Sequence, residues 1–192
     1  MDTETSSSTW RDMKVYADHV YVVSEANGHG LQVLDLTQLR DLTEFPVTLE
    51  PTAVVSLFSD AHNVIIDEES AMLYVVGSNL ASGGLVAFDI SSPASPMLMG
   101  DYGEAGYTHD AHAVVYNGPD TEHVGKSVVF GSNANKLAIV DATDPTDMAS
   151  LSVSYYSDLS YTHQCWLTED HRYLLLGDEL DEQNQGFNTR TL

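Results

Sequence analysis

The sequence predicts an all-β fold: a β-propeller of four-stranded antiparallel blades, present as an incomplete arc of about three and a half blades. Three observations predict it. A hairpin phrase returns four times, as "VYVVSEANGHGLQVLDLTQL" from Val20, "LYVVGSNLASGGLVAFDISSP" from Leu73, "SVVFGSNANKLAIVDATDP" from Ser127 and "YLLLGDELDEQNQGFNTRTL" from Tyr173. The first three copies end their second strand in Asp35, Asp89 and Asp141, spaced 54 and 52 residues apart. Ahead of each hairpin lies a segment whose apolar side chains alternate with period two, as in Val64 and Ile66 or Val114 and Tyr116, the pattern of a half-buried strand.

The elements follow in order. The first strands read "RDMKVYADH" from Arg11, "HNVIIDEES" from His62, "HAVVYNGPD" from His112 and "HQCWLTEDH" from His163. Each runs into a turn cluster, such as Ala17-Asp18, Asp67-Glu68-Glu69 or Asn117-Gly118-Pro119-Asp120. The recurring hairpin supplies strands two and three. A fourth short strand is expected after the Asp-ended strand and its turn, in "MLMGDY" from Met97 and "LSVSYY" from Leu151. The polar stretch 1–9 is expected to be a tail, followed by units at about 10–59, 60–106, 107–159 and 160–192, the last truncated. An arc of this kind is expected to expose blade edges and faces, and so to be poorly stable or to self-associate. A sandwich would not repeat its sequence about every fifty residues; an open antiparallel solenoid is the rival architecture.

Composition excludes some partners. Acidic residues number 29 against 7 Lys plus Arg, a net charge of −22. Such a surface repels nucleic acid and anionic lipid and attracts cations. The single cysteine, Cys165, cannot form an internal disulfide. No apolar run is long enough to span a membrane, and "MDTETSSST" lacks the apolar core of a signal peptide.

The Asp-ended strands "LQVLD", "LVAFD" and "LAIVD" resemble the LVIVD repeat. The wider set, including "GYTHDAHAVVYNGPD" and "YTHQCWLTEDHRYLLLGDELDE", resembles the secreted β-propeller proteins called choice-of-anchor B, over most of residues 10–192. The resemblance implies an extracellular or cell-surface propeller with no established catalytic reaction. The family's anchoring C-terminal segment has no counterpart in the matching stretches.

Chemistry is expected where the first strands begin. Aligned on their apolar alternation, the units place Arg11, His62, His112 and His163 in one column. Propeller topology puts first strands beside the central channel and the ends of strand two next to them. Those ends carry Glu25-Ala26-Asn27, Asn79, Asn133 and Asp178-Glu179. The candidate metal ligands are therefore His62, His112, His163, Asp178 and Glu179. Imidazole with carboxylate suits Zn²⁺, whereas an all-oxygen set suits Ca²⁺. The repeated Tyr-Thr-His at 107–109 and 161–163 offers a second register that matches His109 to His163, but the alternation favours His112. The competing expectation is that these histidines bond backbone between blades. Trp10, Trp166, Tyr107 and Tyr161 are expected to be blade-packing anchors, "DELDE" from Asp178 a solvated hairpin tip, and "GPDTEHVGK" from Gly118 a surface loop.

No HExxH, GxSxG or GxxxxGK[ST] spacing occurs. The leading functional expectation is a non-catalytic module that binds protein or surface-polymer partners, or assembles with itself. The alternatives are a metal-binding propeller and a metal-dependent hydrolase.

Overall fold

The computed structural model describes residues 6–186 of the chain. Strands β1 (Arg11–Tyr16), β2 (His19–Ser24), β3 (Leu31–Asp35) and β4 (Ala53–Val55) form the first antiparallel sheet in sequence order. β5 (Asn63–Asp67), β6 (Met72–Val76), β7 (Leu85–Asp89) and β8 (Met97–Tyr102) form the second. β9 (Asp110–Val115), β10 (Ser127–Ser132), β11 (Leu137–Asp141) and β12 (Ala149–Ser154) form the third. β13 (Thr162–Leu167) and β14 (Leu174–Asp178) pair as a hairpin. The chain then turns into a short helix, α1 (Asp181–Gln185), where the sequence suggested only a hairpin tip.

Local chemistry explains the meander. Ala17 and Asp18, both at positive φ (45° and 60°), close the β1–β2 hairpin, a two-residue turn whose twist matches its strands. The repeated terminal Asp has a structural job. Asp35 accepts the N–H of Thr37 at 2.8 Å, Asp89 that of Ser91 at 2.7 Å and Asp141 that of Thr143 at 3.0 Å. Each carboxylate thus forms an Asx turn that ends strand three and reverses the chain.

The core lies between sheets, not within one. On β6, Leu73 and Val75 pack toward Tyr21, Val23, Leu31 and Val33 of the first sheet. Their neighbours Tyr74 and Val76 pack the other way, against Ala111, Ala113 and Val129 of the third. A third cluster joins Val128 and Phe130 to Cys165, Leu167 and Leu176. Middle strands buried on both faces read as continuous apolar runs such as "LYVV". The first strands β1, β5, β9 and β13 touch one another in succession and so line the inside of the arc. Among the described residues, no helix is long and apolar enough to cross a membrane.

Candidate functional site

The structure gathers His62, His109 and His163, and this corrects the register chosen from alternation. The ring centroids of His62 and His109 are 4.1 Å apart, and those of His109 and His163 are 4.6 Å apart. His112 is elsewhere. It lies flat on Trp166, with centroids 3.9 Å apart and 12° between planes, and its Nδ1 accepts the N–H of Leu167 at 3.1 Å. The repeated Tyr-Thr-His was the true register, pairing His109 with His163 and His112 with Trp166.

The reason is physical. Ala111 and Ala113 of β9 pack on the second sheet, while Val114 and Tyr116 pack toward the β13–β14 hairpin. Cys165 and Leu167 pack back toward the third sheet. Alternation reveals a strand's face only when one face meets water. Here both faces meet apolar neighbours, so the phase of the pattern does not say which is which.

Each histidine comes from the start of an inner strand. His62 donates its backbone N–H to Val76 O at 3.1 Å, and His109 to Ser132 O at 2.8 Å. Gly77, at φ +64°, leaves room for His62, since a Cβ there would stand 2.6 Å from the His62 Cβ. A Cβ on Gly83 would likewise press on the Tyr107 ring, at 2.8 Å. Nδ1 of His62 lies 2.7 Å from Glu25 Oε1, just past β2. Nδ1 of His109 lies 3.1 Å from the carbonyl of His163. Nε2 of His163 stands 3.8 Å from Glu179 Oε2. Tyr161 meets His109 edge-on at 5.2 Å, Tyr107 lies 6.4 Å from it, and Trp10 lies 6.0 Å from His62.

Asp178 and the asparagines do not join this group as ligands. Asp178 accepts the N–H groups of Ser160 and Tyr161 and the hydroxyl of Tyr156, all at 2.8 Å, and the N–H of Leu180 at 3.2 Å. Asn133 accepts from the Thr108 hydroxyl at 3.1 Å and donates to Ala105 O at 3.2 Å; Asn79 accepts from Ser59 N–H at 2.8 Å. At the ends of strand two, Asn79, Asn133 and Asp178 thus clamp the loops that lead into β5, β9 and β13. Asp178, Asn79 and Asn133 position the site without lining it, whereas Glu25 and Glu179 reach His62 and His163. Of the predicted ligands, His62, His163 and Glu179 come together, while His112 and Asp178 are engaged by backbone. The aromatic expectation holds only in part: Trp10 is 58 % exposed and Trp166 65 %, and of the two Trp166 stacks on His112 of the neighbouring sheet.

The "GPDTEHVGK" loop holds a feature that sequence reading passed over. Ligand atoms of Asp120, Glu122 and His123 all lie within 4.8 Å of one another, the single such triplet of His, Cys, Asp or Glu among the described residues. The signal was the close spacing of two acids and a histidine in one turn. Cys165 offers no nucleophile: burial pushes its thiol up to about 11, and its Sγ lies 3.4 Å from Phe130 O. Along the inner strands runs a groove of about 820 Å³, with Val15 of β1, Ile65 of β5, His112 of β9 and Trp166 of β13 in its wall.

Burial lowers the affinity of both His109 and His112 for a proton. For His112 the nearby His171 adds to this effect and Asp67 opposes it. The unfolded chain takes up that proton near pH 6.5, and the folded chain only at lower pH. Stability therefore falls as pH drops below about 6.5, and this contribution is absent above it. Thermal melts at pH 7.5 and 5.5 should show a smaller loss for His112→Gln, which keeps an acceptor for Leu167 but cannot protonate.

Four-stranded antiparallel blades, packed face to face with their first strands inside, define a β-propeller arc with an imidazole and carboxylate cluster where the inner strands begin. Residues 72–104 match the LVIVD repeat, which here comprises β6, β7 and β8. The chain is similar in structure to the hydrazine synthase of Kuenenia stuttgartiensis, with TM-score 0.58 and 16 % identity over 92 % of this chain and 43 % of that one. It is also similar to a protein from Lactobacillus plantarum, with TM-score 0.57 and 17 % identity over 92 % of this chain and 50 % of that one. The chain therefore spans half or less of the length of these structures. These likenesses concern the fold. No curated protein matches the chain by sequence.

Proposed function

We propose that the chain is a non-catalytic binding or assembly module at the cell surface or outside the cell. The observation that carries this reading is the inner groove and its rim. Side chains that core packing does not need, Val15, Trp166 and Leu175, stand there about half or more exposed. Large aromatics in such settings supply most of the binding energy of protein interfaces. The charge of −22 favours protein or surface-polymer partners over nucleic acid. The resemblance to choice-of-anchor B proteins supports the extracellular location. The partner chosen for the test is a second copy of the chain. Protease treatment of intact cells should remove the protein, and sedimentation of the purified chain should show mass rising with concentration. Val15→Glu, which puts a charge into the groove wall, should suppress that rise. A strictly monomeric chain, or one protected inside intact cells, would count against this reading.

A second reading, a metal-binding propeller, is favoured by the close set of Asp120, Glu122 and His123. A hydrolase screen with and without chelator tests whether such an ion would also activate water.

A further inference from the structure

The loop between β9 and β10 lies at the far end of those strands from His109. Backbone bonds fix its path. Gly125 donates to Tyr116 O and Tyr116 to Lys126 O, both at 2.8 Å, and His123 donates to Asp120 O at 3.1 Å. That last bond folds Asp120, Glu122 and His123 into one turn, where a ligand atom of each lies within 4.8 Å of the others. The row of His62, His109 and His163 gathers no such set of ligand atoms.

Two observations set this turn apart from an ordinary acidic loop. The first is the His123 ring, of which only 23 % is exposed. Its Nδ1 is buried and has no hydrogen-bond partner. Its Nε2 stands 3.9 Å from Asp120 Oδ2, beyond hydrogen-bond reach. A neutral imidazole carries one lone pair, and here no protein group engages either nitrogen. Buried polar atoms are normally paired. The second is charge. No Lys or Arg among the described residues pairs with Asp120 or Glu122, and Lys126 of the same loop is drawn to Asp141 at 3.0 Å. Two close carboxylates without a cation repel each other, the more so in a chain of net charge −22. The matching turn of the next unit shows the contrast. It also carries Glu169, Asp170 and His171, but their groups are taken. His171 Nδ1 accepts the N–H of Asn117 at 3.0 Å, and Asp170 accepts the Thr168 hydroxyl at 2.6 Å and the N–H of Arg172 at 3.1 Å.

We propose that Asp120, Glu122 and His123 bind one divalent transition cation of the Zn²⁺ type. The proposal deepens the metal-binding reading above and rests on it. Tetrahedral Zn²⁺ with bonds of about 2.0–2.2 Å holds its ligand atoms about 3.4 Å apart. Asp120 and Glu122 are exposed, so their carboxylates can rotate inward to that spacing. One imidazole with two carboxylates suits such an ion, whereas Ca²⁺ takes about six to eight oxygens. Three protein ligands leave a position for water. Asp120 and His123 also wall a cavity of about 240 Å³ together with Phe130, Ile139 and Leu151, whose apolar side chains reduce the screening between ion and carboxylate.

The test is calorimetric titration of the metal-free chain with zinc chloride in excess calcium chloride. One Zn²⁺ per chain is expected, and zinc should raise the melting temperature, because an ion that binds the folded state stabilises it. Asp120→Asn, Glu122→Gln and His123→Gln should each raise Kd about tenfold or more and shrink the zinc-dependent shift. Asp170→Asn, in the matching turn, should leave both unchanged. Far-UV spectra and urea midpoints without zinc verify folding, and Glu122→Gln, at an exposed position, gives a readout independent of His123. Zinc binding that all three loop substitutions leave intact overturns this site and leaves the metal-binding reading standing. No binding of zinc, manganese or calcium overturns both.

Discussion

Phe88→Ala is expected to cost about 3–5 kcal/mol of stability, the largest effect among the substitutions considered. Phe88 is fully buried on β7, in the LVIVD-repeat strand, within the cluster that joins the first two sheets. Its removal deletes the transfer energy of an aromatic ring and leaves a cavity that two stiff sheets cannot close. Domain stabilities are only about 5–15 kcal/mol, so the loss would be a large fraction of the whole. Urea unfolding checks it: the midpoint should fall sharply with little change in slope. A shift near zero would mean that the two sheets do not share this core.

Asp178→Ala is the second, with an expected loss of about 3 kcal/mol, because it strands several donors at once and each unpaired one costs about 1–3 kcal/mol. The side chain receives three N–H groups and the Tyr156 hydroxyl. Water can replace part of this, since Asp178 is only half-buried, which holds the figure below the full sum. Asp178→Asn should cost less, as the amide oxygen still accepts. Burial raises the Asp178 carboxyl, but the donors from Ser160, Tyr156, Tyr161 and Leu180 outweigh it and hold it below the usual carboxylate range. Its stabilisation is therefore complete above the ordinary aspartate pKa, about 3.9, and is lost as pH falls through the lower folded value. Denaturation curves at pH 7 and pH 3 should show the wild type and Asp178→Ala converging in acid. The same substitution should loosen Tyr161, which Asp178 holds against His109.

Much of this molecule could be read from the chain alone. Period-two runs, turn clusters and a recurring hairpin are local features, and local physics writes them into sequence. The Asp at the end of "LVAFD" was legible as a repeat mark, and its Asx turn explains the repetition. The candidate site was legible in part. His62 and His163 lie where inner strands begin, and Glu179 lies just past the end of β14, beside His163. His109 was passed over although the Tyr-Thr-His repeat marked it, and His112 was taken in its place.

Strand number, strand order within each sheet and antiparallel pairing thus followed from the sequence, because each rests on contacts between residues close along the chain. Side-chain direction did not. Whether His109 or His112 joins His62 depends on which face of β9 meets the second sheet and which meets β13. Both faces are apolar, so no hydrophobic pattern separates them. Only packing between sheets some fifty residues apart decided it, turning His112 onto Trp166 and His109 into the stack.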